Sequence, residues 1–451
     1  MSARQSRGIA TLSAVLLCAV WALELARMVQ DTAAARAIAI ACLGLFGVFA
    51  WFRASRHIRA LFVVILGAAA AGAWAQGSAE PIVGGVSRAL VFGAFFPAVL
   101  MLRATVEASP RLGELRAALA RLDGTATEIV TLQASHGLAG VINVGAAAVL
   151  APVVTAGVDD ARRAVLAGTC ARGVAIAAMW SPFYLSVAFT TQLAPNVPMW
   201  EVMAIGAVAS VIGLALSHAM FTRGGSGLAE SLASLRPIAV PTAIVVGVVV
   251  AGTLAFGWSG LHSVAVSIPL LCAAYVVALG GNALPKVLRQ TFTSAGRVSD
   301  EMLIVLGGTI LGAVVGSLPH VQQLGASVTP EMVSGTGAIA GLVLILLALG
   351  QAGLHPMIAS SVLVPVLCVG NFGVCDAIAV ASAVFAWGLN ATISIWTMPM
   401  AMAASTFAIP VGRLITRRSL VYTVAYLVLG VLFLTLVNAA LRSAGCDQTL
   451  S

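Results

Sequence analysis

The sequence predicts an all-α polytopic membrane protein with about eleven transmembrane helices, plus two re-entrant hairpins in an inverted repeat, with discontinuous helices. Three observations predict it. Sixty percent of the residues are hydrophobic and 9% charged, with a mean hydropathy of +1.03, far outside the soluble range. Apolar runs of roughly 17 to 25 residues recur along the chain, each long enough to cross a bilayer, and the short alternating segments of a membrane β-barrel are absent. Two of the longest apolar stretches are interrupted by proline, glycine and polar residues. Irregular backbone at membrane depth survives only where protein or a cavity surrounds it.

Taken in order, apolar runs at 8–26, 36–53, 59–76 and 85–103 predict the first four spans. Arg4 and Arg7 precede the first run, which reads as an uncleaved first helix rather than a signal peptide. Segment 104–128 repeats Leu and Ala at helical spacing among Arg and Glu, as an interfacial amphipathic helix does. Next come 129–157 and 163–192, both interrupted. Runs at 200–221, 237–257, 260–281 and 301–318 predict four more spans. The broken stretches 331–371 and 374–407 follow, and a last span covers 420–441.

The arginines set the orientation. Arg4, Arg7, Arg53, Arg56, Arg59, the run Arg103 to Arg121, Arg223, Arg236, Lys286, Arg289 and Arg297 all fall on one side, the cytoplasm. Arg162 and Arg163 join them only if 129–157 enters and leaves by the same face. A second hairpin at 331–371, from the opposite face, returns Arg413, Arg417 and Arg418 to the cytoplasm. Arg27, Arg36, Arg88 and Arg442 are the exceptions. The N-terminus is then cytoplasmic and the C-terminus external, in a multi-pass protein of the cell's inner membrane. The net charge of +8 reflects topology, not nucleic-acid binding.

The two broken stretches match each other. VLAPVV at 149–154 parallels VLVPVL at 362–367. Ser135-His136-Gly137 and Gly353-Leu354-His355-Pro356 stand upstream, as glycine-bearing hairpin turns. Trp180-Ser181-Pro182 and Trp396-Thr397-Met398-Pro399 stand downstream. Because the copies enter from opposite faces, the repeat is inverted. This layout of spans, hairpins and broken helices resembles the ion transporter superfamily, and the divalent anion:sodium symporter branch most closely. That branch carries Ser-Asn-Thr at its hairpin tips; this chain carries the two histidine-bearing turns near those positions. The resemblance implies a moving transport domain and a scaffold that dimerises. The chain divides accordingly into scaffold spans with the interfacial helix (1–128), a first transport half (129–199), further scaffold (200–330), a second transport half (331–412) and the last span with its tail (413–451).

Candidate ligands to a small anionic substrate follow from the polar residues within the breaks. The second half offers His355, Ser360, Asn390, Thr392, Ser394 and Thr397. The first offers Ser135, His136, Asn143, Thr169, Arg172 and Ser181. Gly388 to Thr392 is expected to unwind, exposing carbonyls to a cation and helix N-termini to a carboxylate. A coupling Na⁺ would sit near Gly137, Asn143, Gly388 and Asn390, with no other cofactor. Interhelical hydrogen bonding is the bland alternative for the Ser and Thr. Arg172 lies deep in an apolar run, at a cost on the order of 2.5–3.5 kcal/mol unless it is paired or wet. It either faces the substrate or turns back toward the cytoplasm.

No acidic residue sits in the middle of a well-defined span, which argues against a carboxylate-based cation exchanger. Neither a phosphate loop nor HExxH, GxSxG or a zinc-type cluster is present, so the chain reads as a non-enzyme. The seven cysteines lie mostly in apolar runs, as buried thiols; Cys368 and Cys375 flank an outward loop where a disulfide is the alternative. The leading expectation is a secondary transporter of a small organic anion, a carboxylate or dicarboxylate, coupled to Na⁺ or H⁺ through elevator-type alternating access. Export of an inorganic oxyanion, cation/proton exchange, and a membrane-embedded lipid-handling enzyme are the other readings.

Overall fold

The computed structural model describes residues 3–119, 124–221, 229, 232–233, 235–280, 282–327 and 332–446. Arg121, Arg223 and the start of the second broken stretch, residue 331, lie outside them. Twenty α-helices and one short 3-10 helix occur among the described residues, with no strand. In order these are α1 (Ala3–Val29), α2 (Ala33–Arg53), α3 (Arg56–Gln76), α4 (Glu80–Ala108), α5 (Pro110–Leu119), α6 (Gly124–Ile142), α7 (Gly145–Val154), α8 (Asp160–Ala177), α9 (Leu185–Thr191) and α10 (Met199–Phe221). After these come α11 (Arg236–Phe256), α12 (Gly260–Ala278), α13 (Leu284–Ala295), α14 (Ser299–Ser317), α15 (Pro319–Ser327), α16 (Gly335–Gln351), α17 (Pro356–Val369), α18 (Asp376–Asn390), α19 (Met398–Thr406) and α20 (Arg417–Ser443).

Nine of these are long and apolar enough to cross a membrane: α1 to α4, α10, α11, α12, α14 and α20. Two further apolar stretches are each split in two, α8 with α9 and α18 with α19. The protein is therefore an all-α polytopic membrane protein, as the hydropathy requires. Side-chain caps start many of the helices. Thr32, Ser55, Asp159, Ser259, Ser334 and Thr416 each accept a hydrogen bond from the amide three residues on, satisfying a donor that the helix itself leaves free.

The chain forms two compact units. One comprises Met1–Ala108, Val248–Ser327 and Ser361–Gly370; the other comprises Ser109–Gly247, Val328–Ser360 and Asn371–Ser451. In the first, α4 is the buried axis, packed by α1, α12, α13 and α14. Two glycines let neighbours approach: a Cβ on Gly85 would overlap the backbone at Ile310, and one on Gly93 would overlap Val20. In the second unit, α18 is almost wholly buried, as is α8 from Leu166 onward. Here α6 packs on α8, α16 on α18, and α20 on α10, α16 and α18.

Several expectations shift. The interfacial helix is shorter than 104–128: α4 continues to Ala108, and α5 covers Pro110–Leu119 with Leu112, Leu115 and Leu119 buried. The amphipathic helix α13 was unforeseen. It buries Val287, Thr291 and Ala295 at every fourth position and exposes Lys286 and Arg289; its polar half concealed it in a hydropathy reading. Cys375 is bonded to Cys446, not to Cys368, which ties the end of α20 to the N-cap of α18. The exceptions Arg27 and Arg36 are neutralised locally. Arg27 pairs with Glu24 and, at 2.9 Å, with Asp31, which also pairs with Arg36. Hydrogen bonds from Arg27 and then Arg36 hold the Asp31 carboxyl down at about 2.

Gly84 and Gly85 separate packing from helix propensity, because Gly84 has nothing within 4 Å of its Cβ position. Gly84→Ala should stabilise by about 0.5–1 kcal/mol. Gly85→Ala should destabilise by about 1–3 kcal/mol through overpacking. Thermal unfolding of the purified protein in detergent reads both.

Candidate functional site

All the sequence-predicted site residues lie in the second unit. Its architecture is duplicated. In one half, α6 and α7 are separated by a turn at Asn143-Val144, and α8 and α9 by residues 178–184. In the other, α16 and the first residues of α17 (356–360) are separated by 352–355, and α18 and α19 by 391–397. The chain reverses at a positive φ in each pair, 58° at Asn143 and 89° at Gly353.

The breaks are held by the same hydrogen bonds. Ser181 donates from Oγ to the Gly140 carbonyl at 2.8 Å and accepts from the Phe183 amide at 3.2 Å. Ser394 donates to the Gly350 carbonyl at 3.2 Å and accepts from the Trp396 amide at 3.4 Å. Gly140 precedes Asn143 by three residues, as Gly350 precedes Gly353. Each serine therefore pins an unwound segment to the carbonyl three residues before a turn. Both serines are fully buried, so an unpartnered carbonyl or amide at this depth would cost about 1–3 kcal/mol. The short helices that follow are left open. Neither N-cap, Tyr184 of α9 nor Thr397 of α19, makes a side-chain cap bond. Their first amides, other than Pro399 of α19, which has no N–H, are donors without a helical acceptor.

The first break meets α18 through Met179 and Gly388. A Cβ on Gly388 would lie 2.6 Å from Met179 Cγ and 3.0 Å from the Ala175 carbonyl. Tyr426 holds Met179 from the other side, with its hydroxyl 3.0 Å from Sδ, and bonds the Ala209 carbonyl at 2.7 Å. On α10, a Cβ at Gly206 would overlap the Met179 carbonyl. Glycine on two neighbours thus lets other helices close on the unwound backbone.

Around these clamps the structure places the remaining residues. Asn390 is buried, and its Oδ1 accepts from Gln351 Nε2 at 2.6 Å; the same amide fills the space above Gly350. Thr392 donates to the Leu389 carbonyl at 2.7 Å and pairs with Thr423 at 2.9 Å. Thr397 bonds the Ser394 carbonyl at 2.8 Å. Ser135 turns onto its own helix, bonding the Leu132 carbonyl at 3.0 Å beside Gly173. Asn143 Oδ1 accepts from the next amide, Val144, at 2.9 Å. The Ser360 hydroxyl is buried and has no partner among the described residues.

Three readings change. The two histidines are not equivalent tip residues. His136 lies inside α6, seven residues before the turn, and its Nε2 accepts from the Trp180 indole at 3.2 Å. His355 follows its turn, accepts from the Met357 amide at 3.3 Å and stands edge-on to Trp387, centroids 5.4 Å apart. Gly137 and Gly388 sit within helices rather than unwound backbone, because α6 runs on to Ile142 and α18 to Asn390. Arg172 turns back along α8. Its Nη2 donates to Thr169 at 3.0 Å, and its guanidinium lies 3.7 Å from the centroid of the Phe221 ring. A desolvated cation–π contact of about 2 kcal/mol offsets much of its burial.

Sequence reasoning missed Gly140, Gly350 and Gln351. The signal was present as a glycine three residues before each turn, Gly140 before Asn143 and Gly350 before Gly353. Among the described residues, no cluster of three or more His, Cys, Asp or Glu could hold a metal ion.

No family model matches the chain, and no curated protein matches it. Among solved structures, Neisseria gonorrhoeae MtrF, described as illuminating a class of antimetabolite efflux pumps, aligns over 80% of this chain and 83% of its own. The identity is 14% and the TM-score 0.41, values that bear on neither substrate nor mechanism.

Ser181→Ala and Ser394→Ala should each lower the thermal unfolding temperature, by an amount equivalent to about 1–3 kcal/mol. Hydrogen exchange should rise at the amides of 178–184 in the first variant and of 391–397 in the second. Unchanged exchange in both would remove the clamp from the account.

Proposed function

We propose that this chain is a secondary active transporter of a small organic anion, a carboxylate or dicarboxylate, driven by Na⁺ or H⁺, and that it belongs with the ion transporter superfamily its layout resembles. The observation that carries this is the duplicated clamp. Two broken helices from the two halves are held open by equivalent Ser-to-Gly hydrogen bonds, and each leads into a helix whose first amides lack a side-chain cap. Such an amide end favours a negative group. The buried Asn390–Gln351 amide pair supplies further donors beside it. Inverted halves meeting at mid-chain breaks are what alternating access needs, since each half can open to one face.

In this reading Ser181, Ser394 and Asn390 shape the site, and the pieces 129–192 and 331–407 move as the transport domain. The working form is a homodimer in the inner membrane, N-terminus in the cytoplasm.

Reconstituted proteoliposomes test it. Uptake of labelled succinate or benzoate should depend on an imposed Na⁺ or pH gradient. Asn390→Ala should cut uptake by about tenfold, the worth of one buried hydrogen-bonded amide, with an unchanged elution profile. Transport indifferent to both gradients and to every carboxylate tried would sink the proposal.

A further inference from the structure

The second unit carries a concentration of positive charge that the transport reading does not use. Arg172 is only 4% exposed, and its Nε has no hydrogen-bond partner among the described residues. Among the described residues, its one side-chain hydrogen bond goes to the neutral Thr169 hydroxyl. Phe221, the last described residue of α10, gives its ring to two guanidinium groups: Cζ of Arg172 at 3.7 Å and Cζ of Arg418 at 5.2 Å. Arg417 and Arg418 open α20, where the positive end of the helix dipole disfavours cations, and no acidic residue occupies that first turn. The charged groups that reach Arg172 electrostatically are Arg418 and Glu128, beside the Tyr422 phenol. Glu128 is already paired with Arg162, and Tyr422 donates its hydroxyl to the Gly213 carbonyl at 3.1 Å.

Two guanidinium groups and a helix N-terminus thus converge with no free carboxylate among the described residues to balance them. An arginine fork with an unused N–H, held against a ring, carries the donors that take two oxygens of one anion.

The place is distinct from the clamps. The guanidinium lies beside Gly168, with Nη1 3.8 Å from that residue's Cβ position, and the Leu414 carbonyl is 3.9 Å from the same point. The break in α8 begins ten residues later, about 15 Å along the helix. Arg418, the outer of the two guanidinium groups over the ring, is exposed.

We propose that Arg172 and Arg418, across Phe221, form an oxyanion-binding site for a carboxylate or phosphate group, separate from the two clamped breaks. The inference stands whether or not the transport reading does. Two sources present this chemistry: a free anion in the cytoplasm and the phosphate of an anionic lipid headgroup.

The full-length protein in phosphatidylcholine nanodiscs separates them. Thermal unfolding is followed by tryptophan fluorescence, with inorganic phosphate or benzoate titrated in low-chloride buffer. A parallel series replaces part of the lipid with phosphatidylglycerol. Wild type should be stabilised, either by the free anions or by the anionic lipid. Arg418→Gln, at an exposed position where folding is not at stake, should weaken the apparent affinity about tenfold, the loss of one charge-assisted contact. Arg172→Lys should weaken it comparably by removing the fork while keeping the charge. Stabilisation by the free anions assigns the site to a soluble ligand, and stabilisation by phosphatidylglycerol alone assigns it to the headgroup. No stabilisation by any of the three, or a full response retained in Arg418→Gln, overturns the proposal.

Discussion

A broken helix inside a membrane must give every exposed backbone group a partner, because neither lipid nor a dry interior supplies one. The rest of the second unit depends on how this chain meets that constraint. One serine in each break donates to a carbonyl and accepts from an amide two residues on. That leaves the unwound segment short and firmly placed. The N-cap of the following helix makes no side-chain cap bond in either half. The same hydroxyl serves stability by satisfying the break. Glycines at 206 and 388 then allow α10 and α18 to approach Met179 more closely than any side chain would permit.

Much of this was legible in the sequence, for identifiable reasons. Long apolar runs announce spans because hydropathy reports transfer to lipid directly. The arginines at their ends led to the expectation of two hairpins, since same-side return placed Arg162 and Arg163 with the others, and helix pairs α6–α7 and α16–α17 occupy those stretches. Ser181 and Ser394 were visible as polar residues in breaks, but their clamp geometry was not, because it depends on which carbonyl lies opposite. Proline and tryptophan spacing aligned the repeat, yet the structure aligns it on Gly140 and Gly350, whose role is to bring a carbonyl within reach. His136 misled for a related reason. Ser-His-Gly reads locally as a turn, but α6 is stabilised through it by packing on α8 at Gly173.

The amphipathic elements were the harder part. A polar helix such as α13 buries only one residue in four, so an average over its length conceals it. Charge pairing was also out of view: Arg27 and Arg36, the exceptions to the positive-inside pattern, pair with Glu24 and Asp31. Arg172 is the converse case: its burial was plain from its position, while its direction is set by Phe221, forty-nine residues away.

The central claim is that the two clamped breaks together form the anion site. The most direct measurement is cryo-electron microscopy of the full chain in nanodiscs, saturated with a carboxylate that proteoliposomes show to be carried. The account predicts ligand density against Asn390 and the first amides of α9 or α19, within reach of Ser181 and Ser394. Density confined to the Arg172–Arg418 region, or lying in the first unit, would contradict it.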